Sequence, residues 1–160
     1  MESTRVVLKG YNTVQVFPSG GIMPKKEPLP LQGKLFRFVP TEREVRSLPR
    51  KKRIRMLFEL LLIREFETRL LELKDAGLVH GPVHSSIGQE GAAVGVMGAL
   101  DPKDAVASTH RGHHHFLAKA LGYYFQGYDP ETPLPPGLNR IVERTLAEIM
   151  GLSQGFCRGR

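Results

Sequence analysis

Four imidazoles and a guanidinium fall within eight residues in the stretch Ser108-Thr109-His110-Arg111-Gly112-His113-His114-His115. The pattern predicts a strand over Ala105–Ser108 leading into a helix that starts near Gly112. A strand end meeting a helix amino terminus is a natural anion site, because free backbone amides point outwards and the helix dipole is positive there. Arg111 adds a permanent cation able to bind phosphate through two hydrogen bonds; the competing reading is a capped helix with a solvated arginine. A metal reading of His113-His114-His115 fails on geometry. Successive helical residues point about 100° apart, so three neighbours cannot converge on one ion. No nearby Cys, Asp or Glu completes a tetrahedral set, and one inward histidine beside two solvated ones is the simpler arrangement. A second group is His80-Gly81-Pro82-Val83-His84-Ser85-Ser86-Ile87-Gly88-Gln89-Glu90. Here Ser85 or Ser86 is placed to cap the next helix, and His84 lies on a loop, where an imidazole can serve a developing oxyanion or a carboxylate. Spacing alone does not separate that role from a surface hydrogen bond.

The elements that must position these residues are mainly helical. Thr41-Glu42-Arg43-Glu44 has the capping-box pattern, and Pro49 suits the first turn of a helix that runs to about Ala76 and stops at Gly77. Phe58, Leu62, Phe66 and Leu70 form its apolar stripe, with Arg64 and Glu67 expected in solvent. A small-residue helix over about Gln89 to Leu100 presents Gly91, Gly95 and Gly98, a bare backbone that lets another helix approach closely, within the domain or across a subunit interface. Residues 122–137 read as a Pro/Gly/Tyr-rich excursion, and a last helix spans about Leu138 to Met150. Before Thr41, residues 1–40 read as an extended arm. Short β-prone runs at Val6–Leu8 and Val14–Phe17 are followed by Pro18, Gly20, Gly21, Pro24, Pro28 and Pro30, which are expected to stop regular structure.

At 160 residues, with 41% hydrophobic and 24% charged content, the chain has room for one domain with a core. A net charge of +7 favours acidic or phosphorylated partners. The basic run Arg50-Lys51-Lys52-Arg53 is followed by Glu59, Glu65, Glu67 and Glu72 with no stacking aromatics interleaved, so no nucleic-acid partner is expected. Met56–Ile63 is too short to span a bilayer, so no membrane partner is expected either. The single Cys157 fits a reducing compartment, Glu2 argues against a presequence, and the chain reads as cytoplasmic.

Taken together, five segments in order resemble one family. Leu60-Leu61-Leu62-Ile63-Arg64-Glu65-Phe66-Glu67, then His84 with Ile87-Gly88-Gln89-Glu90, then Ser108-Thr109-His110-Arg111-Gly112-His113, then Leu146-Ala147-Glu148-Ile149-Met150-Gly151, and Gly155-Phe156-Cys157-Arg158-Gly159-Arg160 are similar to the alpha subunit of the decarboxylating component of the pyruvate, branched-chain 2-oxo acid and acetoin dehydrogenase complexes. The resemblance covers about residues 55 to 160. It implies an α/β thiamine-diphosphate-binding fold, a parallel sheet with helices on both faces, of which residues 41–160 would be the mostly helical, incomplete amino-terminal portion. It implies oxidative decarboxylation of a 2-oxo acid with acyl transfer to a lipoyl group. The partners implied are a beta subunit, in a heterotetramer with cofactor between the two chains, and a lipoyl-bearing acyltransferase component. Carried over by position, Arg111 would bind the cofactor diphosphate with His110 beside it. His84 would face the reacting centre, and His113 would support the loop.

The departures are His110, where many relatives have Tyr, and residues 122–137, which look like an insertion. The chain also stops at Arg160, before the Gly-Asp-Gly and Asn positions that hold Mg2+. Metal ligands are therefore expected outside this chain, and it is expected to be inactive alone. The alternative is a split or decayed gene product acting as a non-catalytic partner-binding module.

Overall fold

A computed structural model of the chain describes residues 25–28 and 36–159. They fall into two compact units that divide between Arg50 and Lys51. The expected runs at Val6–Leu8 and Val14–Phe17 lie outside the described residues.

The first unit contains a short antiparallel ladder of β1 (Lys25–Pro28) and β2 (Phe36–Val39), with Lys25 opposite Val39 and Pro28 opposite Phe36. Lys25–Pro28 lies in the stretch expected to stop regular structure; it pairs because a two-stranded ladder has only edge strands, and a proline at an edge position costs no required ladder bond. Helix α1 (Glu42–Ser47) follows, and the expected capping box forms: the Glu44 amide donates to the Thr41 hydroxyl while the Thr41 amide donates to the Glu44 carboxylate.

The second unit is helical. Helix α2 (Arg50–Asp75) ends where the sequence predicts. Gly77, at a φ of 75°, lets its amide reach Lys74 O and the Leu78 amide reach Leu73 O, which satisfies carbonyls the helix would leave unpaired. Helices α3 (Glu90–Met97), α4 (His113–Tyr124) and α5 (Leu138–Ile149) complete it, with α4 packed against both α3 and α5. The core gathers Ile63, Phe66 and Leu70 of α2 with Ala93 and Val94 of α3 and Leu117 of α4.

The buried face of α2 differs from the expected stripe. Phe66 and Leu70 are buried, but Phe58 and Leu62 are only half-buried, and Ile63 is fully covered. The core touches α2 along Glu59, Ile63, Phe66, Glu67 and Leu70, a face rotated so that it includes two carboxylates. Arg64 is exposed as expected; Glu67, expected in solvent, is fully buried.

One further expectation is corrected. Ala105–Ser108 is neither a strand nor buried: it runs exposed, with no strand beside it among the described residues to take its amides. At α3, a Cβ added at Gly91 or Gly95 would meet nothing within 4 Å, so these two glycines meet no close helix among the described residues of this chain. No described helix is long and apolar enough to cross a membrane.

Candidate functional site

The site is built around a carboxylate that the sequence pattern had placed in water. Glu67 sends one oxygen to His113 Nδ1 at 2.5 Å. Its other oxygen accepts from the Ser86 amide at 3.0 Å and the Ser85 hydroxyl at 3.2 Å. Burial pushes the Glu67 carboxyl up, but the donors on His113, Ser86 and Ser85 together outweigh it and hold the group below the ordinary carboxylate value. One ionised side chain of α2 thus ties the loop after Val83 to the first residue of α4.

His113 extends the link. Its Nε2 lies 3.2 Å from the His84 carbonyl oxygen. Both neighbours of the ring are acceptors, so both contacts are hydrogen bonds when the ring carries two protons. The His84 ring meets His110 edge-on, with centroids 4.5 Å apart. His84, distant in sequence, therefore shares one surface with His110 and His113 at the amino end of α4. His114 instead turns into the core; burial, with His115 adjacent, pushes its imidazole down. His115 bonds the Ser108 hydroxyl at 2.7 Å. Among the described residues no group of three or more His, Cys, Asp or Glu could hold a metal ion.

The turn before α4 is tight. A Cβ on Gly112 would come within 3.1 Å of Thr109 O and 3.4 Å of the Ser108 side chain, so a larger residue would fit only if those neighbours gave by a few tenths of an ångström. No side chain caps α4 at Gly112. Arg111 is half-buried beside it, its Nε shielded and without a hydrogen-bond partner. An uncapped helix start and a shielded guanidinium nitrogen are chemically suited to phosphate oxygens. Next to them lies a cavity of about 290 Å3 lined by His110, His113, Phe116, Ile149, Phe156 and Cys157.

Two other carboxylates hold the frame. Glu90 pairs with Arg64 through both oxygens, at 2.5 and 3.1 Å, and accepts the Gly88 amide, so it fixes the start of α3 against α2. The Arg64 guanidinium, with help from that amide and against burial, holds Glu90 down at about 2. Ser85 and Ser86, expected to cap α3, serve Glu67 instead; the α3 cap position is Gln89, without a side-chain bond. Glu148 of α5 accepts the amides of Cys157 and Gly159, at 2.7 and 3.2 Å, and folds the last described segment back over α5. A Cβ on Gly155 would fall 2.7 Å from Glu148 Cα, so that return requires glycine. The sequence reasoning missed Glu67, Glu90 and Glu148. For Glu67 a signal existed, since it shares a helix face with Ile63 and Leu70 at spacings of four and three residues.

Comparison with known proteins gives this arrangement its class. The dehydrogenase E1 component family model matches residues 59–125, the span that holds Glu67, His84, His110, Arg111 and His113. The chain belongs to the dehydrogenase E1 component family. Its place there is among the alpha subunits. It is 36% identical over 119 residues to the alpha subunit of acetoin:2,6-dichlorophenolindophenol oxidoreductase from Bacillus subtilis, covering 74% of this chain and 30% of that one. It is 37% identical over 102 residues to the pyruvate dehydrogenase E1 component subunit alpha of Zymomonas mobilis (63% and 23% covered). The corresponding subunit of Porphyra purpurea is 32% identical over 137 residues (86% and 32% covered). The chain thus spans about a third or less of the length of these relatives. No solved structure matches it.

Proposed function

We propose that this chain supplies the alpha-subunit side of a thiamine-diphosphate-dependent 2-oxo acid dehydrogenase site. The observation that carries the reading is the meeting of His84, His110 and His113 at the uncapped start of α4, beside the unpartnered Nε of Arg111. Family membership supports the choice of cofactor. Arg111 and the amino end of α4 would hold the diphosphate, with His110 beside them. His84 would present its imidazole to the bound 2-oxo acid, and His113 would keep the His84 loop in place. When bound, thiamine diphosphate supplies the electron sink that decarboxylation needs; the protein supplies position and charge.

The rest of the reading follows from the family. Residues 41–160 belong to a thiamine-diphosphate-binding domain whose parallel sheet is built from chain outside the described residues. Mg2+, which accompanies a diphosphate, takes its ligands from outside them too. The partners are a beta subunit and a lipoyl-bearing acyltransferase, which receives the acyl group. The test is release of carbon dioxide from pyruvate or a branched 2-oxo acid by the chain assembled with a beta subunit, thiamine diphosphate and Mg2+. Turnover that depends on all three is expected. Tight cofactor binding without decarboxylation of any 2-oxo acid would contradict the reading.

A further inference from the structure

An ionised carboxylate in a protein core costs several kcal/mol unless it is paired and hydrogen-bonded. Glu67 sits in such a place, fully covered, with apolar Ile63, Phe66 and Leu70 on the same helix face. Its hydrogen bonds go to the segments that carry the candidate site: His113 at the start of α4, and Ser85 and Ser86 in the loop that follows His84. His84 is consequently held from two sides, through the next residue by Glu67 and at its own carbonyl by His113.

The two tethered segments are not equally anchored otherwise. Helix α4 is fixed in the core by Leu117, Ala118 and Leu121. The loop from His80 to Gln89 buries only the small Ser86, and the Oγ of that serine has no partner. Val83 packs partly against the core and the Gly88 amide is held by Glu90, so loss of the Glu67 contacts would loosen the stretch between them, His84 to Ile87, while leaving Arg111 near its place.

We propose that Glu67 is a positioning residue for the decarboxylation: its carboxylate, acting through His113, Ser85 and Ser86, sets the place of His84 relative to the diphosphate-binding turn at Arg111. The inference rests on the functional reading above. It adds a residue that makes no contact with substrate or cofactor and acts only through its three donors.

Glu67→Gln tests it at nearly constant volume. A carboxamide has one acceptor oxygen in place of two: with that oxygen on the Ser86 and Ser85 donors its amine meets His113 Nδ1, which must then accept instead of donate, and with the oxygen on His113 its amine meets the Ser86 N–H. In the chain assembled with a beta subunit, kcat for the 2-oxo acid should fall about tenfold to a hundredfold, the usual cost of a misplaced reacting group. The dissociation constant for thiamine diphosphate should change by less than about threefold, because Arg111 stays in place; a change of that size is under 1 kcal/mol. Adding His113→Asn should lower kcat by much less than the product of the two single effects, since both residues act in one chain of contacts. Glu65→Gln, at an exposed position on the same helix, should leave kcat unchanged. If Glu67→Gln does not fold, Ser85→Ala and His113→Asn remove the clamp from its donor side and should each lower kcat at unchanged cofactor affinity. Unchanged kcat in a folded Glu67→Gln protein, or in both donor-side variants, would overturn the proposal. So would a matching loss of cofactor affinity. A wild-type assembly with no decarboxylation would instead count against the functional reading itself.

Discussion

Glu59 and Glu67 lie about two turns apart on the core-facing side of α2, and both are buried, at 5% and 0% exposure. They respond to burial in opposite directions. At Glu67 the His113 ring, the Ser86 amide and the Ser85 hydroxyl outweigh desolvation, and the carboxyl stays below its ordinary value. At Glu59 desolvation wins, and the carboxyl is pushed up. Arg55 Nε is 3.6 Å away, too far for a hydrogen bond, and the Tyr128 hydroxyl donates at 3.3 Å. That phenol is itself pushed up, by burial and by the neighbouring carboxylate. Burial alone does not decide whether a core carboxylate is charged; the number and quality of its donors do. The well-served carboxylate is the one that reaches the candidate site.

The largest expected effect breaks the better-served end. Glu67→Ala takes the buried acceptor away from the His113 ring, the Ser86 amide and the Ser85 hydroxyl, and at about 1–3 kcal/mol for each buried donor left unsatisfied it should cost about 3–5 kcal/mol in urea unfolding. A loss near that of a surface substitution would show that the clamp is not formed. The pH dependence sharpens the comparison. As pH falls through 4.5, unfolded Glu67 takes up a proton before the folded group does, so its contribution to stability is lost on the acid side. As pH rises through 4.5, unfolded Glu59 releases its proton while the folded group still holds one, so its contribution is lost on the other side. Relative to wild type, Glu67→Gln should therefore become more destabilising, and Glu59→Gln less so, between pH 4 and pH 7. Parallel trends in the two variants would refute the contrast. Smaller still, Tyr128→Phe should cost about 1 kcal/mol, the worth of one hydrogen bond. Glu65→Gln, whose partner Arg69 is equally exposed, should stay within about 0.5 kcal/mol of wild type.

Much of the frame was legible in the sequence because its signals are local. The capping box at Thr41, the stop at Gly77 and the helix beginning at Leu138 each depend on residues a few positions apart. The clamp was not legible, because Glu67 meets partners 18, 19 and 46 residues away. A glutamate at that spacing also fits the solvent edge of an amphipathic helix. Ala105–Ser108 misled in the opposite way. Its composition suits a buried strand, yet strand formation needs a neighbour to accept its amides, and none lies among the described residues. The turn before α4 was placed correctly between that segment and the helix, since Gly112 carries the local signal itself.

The account's central claim is that two loops serve one cofactor site with separate duties, affinity at Arg111 and turnover at His84. It is tested most directly by titrating thiamine diphosphate with Mg2+ into the chain assembled with a beta subunit, for the Arg111→Ala and His84→Ala variants side by side. Arg111→Ala removes a charge-assisted contact worth about 1.5–3 kcal/mol, so cofactor binding should weaken about ten- to a hundredfold. His84→Ala should bind the cofactor nearly as wild type does and lose turnover instead. Unchanged affinity in Arg111→Ala together with abolished binding in His84→Ala would contradict the assignment.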